Sequence, residues 1–119
     1  MAELSEQELH QLAMNIVGKE LEKDGFEFLA VNSKLKRNPQ FVAIKSKQLH
    51  FVIVRAISYP NNPKDYDVDL VRKVKEHAEK FEAMTQFAGV GLANSDNYDL
   101  PIDSDSDYVV NYNGLKLIK

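Results

Sequence analysis

The fold is decided by the stretch from Asn38 to Ala56: NPQFVAIK (38–45), SKQ (46–48) and LHFVIVRA (49–56). Phe51, Val52, Ile53 and Val54 follow one another without a polar break. Such a run marks a strand buried on both faces, at the centre of a sheet. Gln40–Lys45 predicts its neighbour. Pro39 has no N–H for a ladder, so it belongs at the opening of that strand. SKQ has the length of a hairpin connection.

Working outward, Ser5 and Glu8 form an S-x-x-E capping box. Leu9, Leu12, Ala13, Ile16, Val17 and Leu21 then recur at helical spacing, which predicts a helix over 5–24 closed by Gly25. FEFLAVNS (26–33) predicts a first strand, with Phe26, Phe28 and Ala30 facing one way. The third strand is expected over 49–57. SYPNNPKDY (58–66) is a loop of turn formers. A second helix is expected over 67–86, capped by Asp65 or Asp67, with Leu70, Val74, Ala78 and Phe81 as its buried stripe, Val71 beside it and His77 at its boundary. Its opposite face carries the pairs Asp69–Lys73 and Glu76–Lys80. FAGVGLAN (87–94) is a fourth strand, in which Gly89 and Gly91 leave room for another backbone. SDNYDLPIDSDSD (95–107) is an acidic loop, YVVNY (108–112) a fifth strand, and LKLIK (115–119) a tail that pairs back as a strand or forms a last turn. The order is αβββαββ, an α/β (α+β) domain with a mixed central sheet and helices packed against it. At 119 residues the whole chain, 1–119, makes one domain.

Composition narrows the function classes. There is no cysteine, which removes disulfides, thiol nucleophiles and thiolate-held metals or clusters, and no cofactor is expected. No apolar run reaches membrane-span length, and the acidic start MAELSEQELH is unlike a signal peptide; a cytoplasmic location is expected. Net charge is −3, but no acidic residue falls between Glu27 and Asp65. That interval holds Lys34, Lys36, Arg37, Lys45, Lys47, Arg55 and Lys64, and subtracting these 7 charges from −3 leaves −10 elsewhere. A field segregated in this way can steer a polyanion, and Lys34, Lys36, Arg37, Lys45, Lys47 and Arg55 are the candidate nucleic-acid contacts. Lysines at strand ends also serve solubility. Tyr59, Tyr66, Tyr98, Tyr108 and Tyr112 suit an interface, because tyrosine joins apolar area to a polar tip. The aspartates of 96–107 lack the spacing of a calcium loop.

Leu21 to Gly25-Phe26, then NPQFVAI, then FVIVR resembles the restriction-endonuclease-like superfamily, the PD-(D/E)xK nucleases, in particular its small stand-alone members. These carry L-x-x-x-G-[YF], then G-E-I-D-L-I-A, then F-V-E-V-K. The resemblance implies a restriction-endonuclease-like fold. In that family, carboxylates on neighbouring strands hold Mg²⁺ and a lysine serves the attacking water. Here the first-helix acid position falls at about Met14, the aspartate position on Gln40, the glutamate position on Ile53 and the lysine position on Arg55. None is a carboxylate, and an arginine stays protonated and cannot act as a base. The expected function is therefore that of a catalytically inactive nuclease fold, binding an unknown protein partner or a second copy of itself, with no metal. The alternatives are nucleic-acid binding through segment 34–55 and a nuclease site relocated to Asp65, Asp67 and Asp69.

Overall fold

The computed structural model describes residues 3–34 and 38–119. Helix α1 (Glu6–Lys23) begins at the capping box: the Glu8 amide donates to Ser5 Oγ at 3.1 Å and the Ser5 amide to Glu8 Oε1 at 3.0 Å. The Ser5 amide first and the Ser5 hydroxyl second, bonding to the Glu8 carboxylate, hold it below its usual range. Gly25 follows the helix at φ 91°, a conformation that suits glycine.

Strands β1 (Glu27–Val31), β2 (Phe41–Lys45) and β3 (Gln48–Ser58) form an antiparallel meander. The β2–β3 turn places Ser46 and Lys47 at φ 51° and 67°, the positive values a two-residue type I′ turn requires. Helix α2 (Val68–Glu79) crosses over to β4 (Met84–Asn94), which runs parallel to β3. Two further strands, β5 (Tyr108–Tyr112) and β6 (Lys116–Ile118), both pair antiparallel with β4, at residues 90–94 and 85–87 respectively. The sheet order is β1-β2-β3-β4-β5, with β6 beside β4 along the same edge as β5. The element order is thus αβββαβββ, the tail supplying an eighth element.

Central β3 separates two cores, because its alternate residues face opposite sides. Val52 and Val54 pack with Ala13, Met14, Val17 and Leu21 of α1. Phe51 and Ile53 pack with Val71, Val74 and Ala78 of α2. Each helix buries one apolar stripe, and burying each of its valine, leucine or methionine side chains contributes about 1.5–3 kcal/mol. Asp67 caps α2: its Oδ1 accepts from the Asp69 and Leu70 amides at 3.1 and 3.2 Å. Gly89 is a necessity of close approach, since a Cβ there would stand 1.8 Å from the Pro63 carbonyl oxygen.

Several expectations are corrected. The second helix ends at Glu79, not at residue 86. Residues 84–86 are held extended by pairing with His50, Phe51 and Val52, and Glu82 turns the chain at φ 57°. Phe81 therefore leaves the buried stripe and is 55% exposed. Its ring lies 5.2 Å from that of His77, itself exposed, and 5.9 Å from that of Phe51. The ion pairs on α2 are Arg72–Asp69 and Lys75–Glu79, with different partners from those the spacing suggests. In β1 a bulge at Leu29 shifts the register, so Ala30 falls out of phase with Phe26 and Phe28 and is exposed.

Candidate functional site

Antiparallel pairing of β2 with β3 ends at Phe41–Val52, while β3 runs on to Ser58. Gln40, fully buried, completes the ladder there. Its amide N–H donates to the Val52 carbonyl at 3.0 Å. Its side-chain Oε1 accepts the Val54 N–H at 2.7 Å. A side-chain amide thus stands where the next backbone carbonyl of β2 would be, and a buried N–H is satisfied.

Arg55 is fixed to the same cluster. Its Nη1 donates to the Val54 carbonyl at 2.8 Å and to Gln40 Oε1 at 3.4 Å. Its Nη2 donates to Asn38 Oδ1 at 2.8 Å, and the same oxygen accepts from Gln40 Nε2 at 3.0 Å. Among the described residues no carboxylate forms an ion pair with it. Burial pulls its pKa below the usual arginine value, against an opposing pull from the charge of Asp67. His10, on α1, is buried, with no partner for either ring nitrogen among the described residues. Burial first and the Arg55 charge second push its pKa down, so the ring is held neutral.

The four positions singled out by the resemblance have distinct settings. Gln40 and Arg55 come together. Met14 and Ile53 are buried in opposite cores, under α1 and α2. Among the described residues no three histidine, aspartate or glutamate side chains gather where a metal ion could be held. Of the acids at the start of α2, Asp67 is the helix cap, Asp69 pairs with Arg72 at 2.9 Å and Asp65 is exposed.

The basic residues do not form one surface. Lys45 and Lys47 lie at the hairpin end of β3, with Lys45 Nζ 5.2 Å from the centre of the Phe26 ring. Arg55 lies about 23 Å along the strand from Gln48, at roughly 3.3 Å per residue. Lys34 follows β1 near the Gln40 end of the sheet. Lys36 and Arg37 lie outside the described residues.

A second concave region opens beyond the carboxyl ends of the parallel pair β3 and β4, a common place for ligands in α/β sheets. Two adjoining clefts of about 350 and 380 Å³ share Tyr59, Leu92, Ala93 and Tyr98. The two tyrosine rings meet edge-on at 5.3 Å. Buried Asn94 anchors the loop behind them, donating to the Pro101 carbonyl at 3.0 Å and accepting from the Asp96 amide at 2.9 Å. His10, Asn38 and Asn94 carry no motif in the sequence; only the packing assigns them these roles.

Residues 7–118 match the model of the family described as a domain of unknown function, DUF8840. The chain belongs to the DUF8840 family. No curated protein and no solved structure matches it. Among the described residues the match takes in α2, the six strands and all but the first residue of α1, so the Gln40–Arg55 cluster and most of the lining of the β3–β4 clefts lie inside the DUF8840 domain. No helix among the described residues is long and apolar enough to cross a membrane.

Proposed function

We propose that this chain is a restriction-endonuclease-like domain without nuclease chemistry, acting as a binding and assembly module. The observation that carries this reading is the bond from Val54 N–H to Gln40 Oε1 at 2.7 Å. The position that resembles a metal-binding aspartate is occupied by an amide, and that amide closes the sheet. Two further observations support the reading. Gln40 and Arg55 lie 3.4 Å apart at adjacent strands, as the resemblance requires of a former site. Ile53 and Met14 offer only apolar contacts where metal ligands would be needed.

A binding module needs a surface, and the outer edge of β5 supplies one. Tyr108, Val109 and Val110 are 40%, 37% and 44% exposed on a strand without a charged residue. Open edges of this kind accept an added strand through their main-chain groups. Nucleic-acid binding through 34–55 is less favoured, because Lys45 and Lys47 stand at the far end of the strand from Arg55.

The reading is tested by incubating the protein with plasmid, four-way junction and single-stranded DNA in Mg²⁺ or Mn²⁺, and by mobility shift at two salt concentrations. No cleavage and no salt-sensitive shift are expected. Metal-dependent cleavage overturns the proposal. A shift that weakens steeply with salt would establish phosphate contacts instead.

A further inference from the structure

The two open edges of the sheet differ in kind. At β1 the bulge at Leu29 breaks the ladder and Glu27 places a charge in the strand. Both devices discourage edge pairing. Within its five residues β5, YVVNY, pairs in unbroken register and has neither charge nor proline.

The phase of β5 can be read from its bonds. In an antiparallel pair, residues alternate between bonding to the partner strand and pointing away from it. The Ser95 N–H donates to the Asp107 carbonyl at 3.0 Å, and the register continues through Ala93–Val109 and Gly91–Asn111. On the other side of β4, the Tyr59 N–H donates to the Leu92 carbonyl at 3.0 Å, which gives Leu92 to β3 and agrees with this phase. Residues 107, 109 and 111 therefore face β4. The backbone groups of Tyr108, Val110 and Tyr112 face outward, and among the described residues nothing bonds to them.

We infer that the occupant of this edge is a second copy of the chain, paired antiparallel through β5 about a two-fold axis at Val110. The inference rests on the module reading above and names its partner. A strand meeting its own copy at this register sets Val110 opposite the partner's Val110. Tyr108 then lies opposite the partner's Tyr112, and Val109 opposite the partner's Asn111. The three outward residues meet one another and no others, forming about six main-chain bonds. Tyrosines face tyrosines at both ends, an aromatic cross-strand pair of the stabilising kind. Burial and the charges of Glu20 on α1 and Asp24 at its C-cap raise the Tyr112 pKa to about 12, so this ring adds no charge at neutral pH.

The charge pattern around β5 favours the same partner. Asp103, Asp105 and Asp107 lead into the strand, and Lys116 and Lys119 follow it. Between Lys80 and Lys116 there is no basic residue at all. Antiparallel pairing runs the acidic approach of each copy beside the basic tail of the other, in both halves of the contact. Parallel stacking would set like charges side by side. Lys116 also rests 4.9 Å from the centre of the Tyr66 ring, which steadies the tail along the edge. The contact is isologous and closes at two copies, leaving β1 with its bulge at both outer ends. A five-residue edge buries less than the roughly 1,000 Å² that a stable interface clears, so the dimer is expected to be reversible on dilution.

Sedimentation velocity over a dilution series tests the inference. The wild type is expected to approach twice the chain mass of 13.5 kDa at high concentration and to return to it on dilution. Val110→Lys and Val110→Glu, each placing like charges on the axis, are expected to lose the dimer. An equimolar mixture of the two is expected to recover it as a heterodimer. Because the chain has no cysteine, Val110→Cys provides a second measurement: it is expected to cross-link to itself under oxidation, and Leu29→Cys on β1 is not. Far-UV circular dichroism checks that each variant folds, and the cysteine pair decides the matter if a charged variant does not. A wild type that stays monomeric at every concentration overturns the inference, as does a dimer indifferent to Val110→Lys. A mixture that remains monomeric overturns the register. Monomer without DNA cleavage removes only the self-pairing, whereas cleavage removes the module reading whatever the mass.

Discussion

The sheet stops hydrogen bonding at two very different places. Where β2 leaves β3, the chain turns a side chain inward: Gln40 takes the Val54 N–H, Asn38 takes Gln40 and Arg55, and the ladder is closed from within. Along β5 no side chain does this, and Tyr108, Val110 and Tyr112 keep outward backbone groups on an uncharged strand. The first place is buried, where an unmet N–H costs free energy comparable to a lost hydrogen bond. The second is wet, where water meets the same groups cheaply and another strand can replace it. The Gln40 cluster therefore spends its polar groups on the sheet itself, whereas the β5 edge keeps groups that another strand can take.

The contrast can be broken most forcefully at Gln40. Gln40→Leu leaves the Val54 N–H buried without an acceptor and is expected to destabilise the fold by about 1–3 kcal/mol. Val110→Ala at the edge is expected to cost about 0.5 kcal/mol or less when measured on the monomer. Urea titration of both proteins makes the comparison, and equal losses would mean that the cluster does not close the sheet. Asn38→Ala removes the acceptor shared by Arg55 and Gln40, with an expected loss of about 1–2 kcal/mol in the same assay.

A smaller effect concerns pH. His10 is held neutral by burial and by Arg55, so its folded pKa lies below the unfolded value. The unfolded chain then binds more protons, and stability falls as pH drops below about 6.5. His10→Leu is expected to flatten that decline while leaving stability near pH 7.5 almost unchanged. Some slope remains, because His50 is also pushed down by burial and by Lys45. Urea titrations at pH 5 and 7.5 measure the difference; an identical pH dependence in both proteins would remove His10 from the cluster's electrostatics.

Local chemistry made much of this readable in the residues. The Ser5–Glu8 box, the Asp67 cap, the centrality of Phe51–Val54 and the close approach at Gly89 each follow from one residue type in one place. The second helix misleads because EKFEAMTQ carries helical residues up to the point where β3 recruits 84–86 into a parallel ladder. Glu82 at positive φ ends that segment without the glycine that would have announced it. The bulge at Leu29 likewise has no local signature. In the candidate site, the resemblance is what puts Gln40 beside Arg55. It does not reveal that Asn38 bridges them, or that His10 arrives from α1, since both depend on how the helix and the pre-strand loop settle on the sheet.

The most direct measurement is residue-resolved amide exchange at low and high protein concentration. The expected result is a Val54 amide protected at both, and a Val110 amide that exchanges freely when dilute and slows as the chain is concentrated. A Val110 amide whose exchange ignores concentration, or a Val54 amide as labile as the edge, would contradict it.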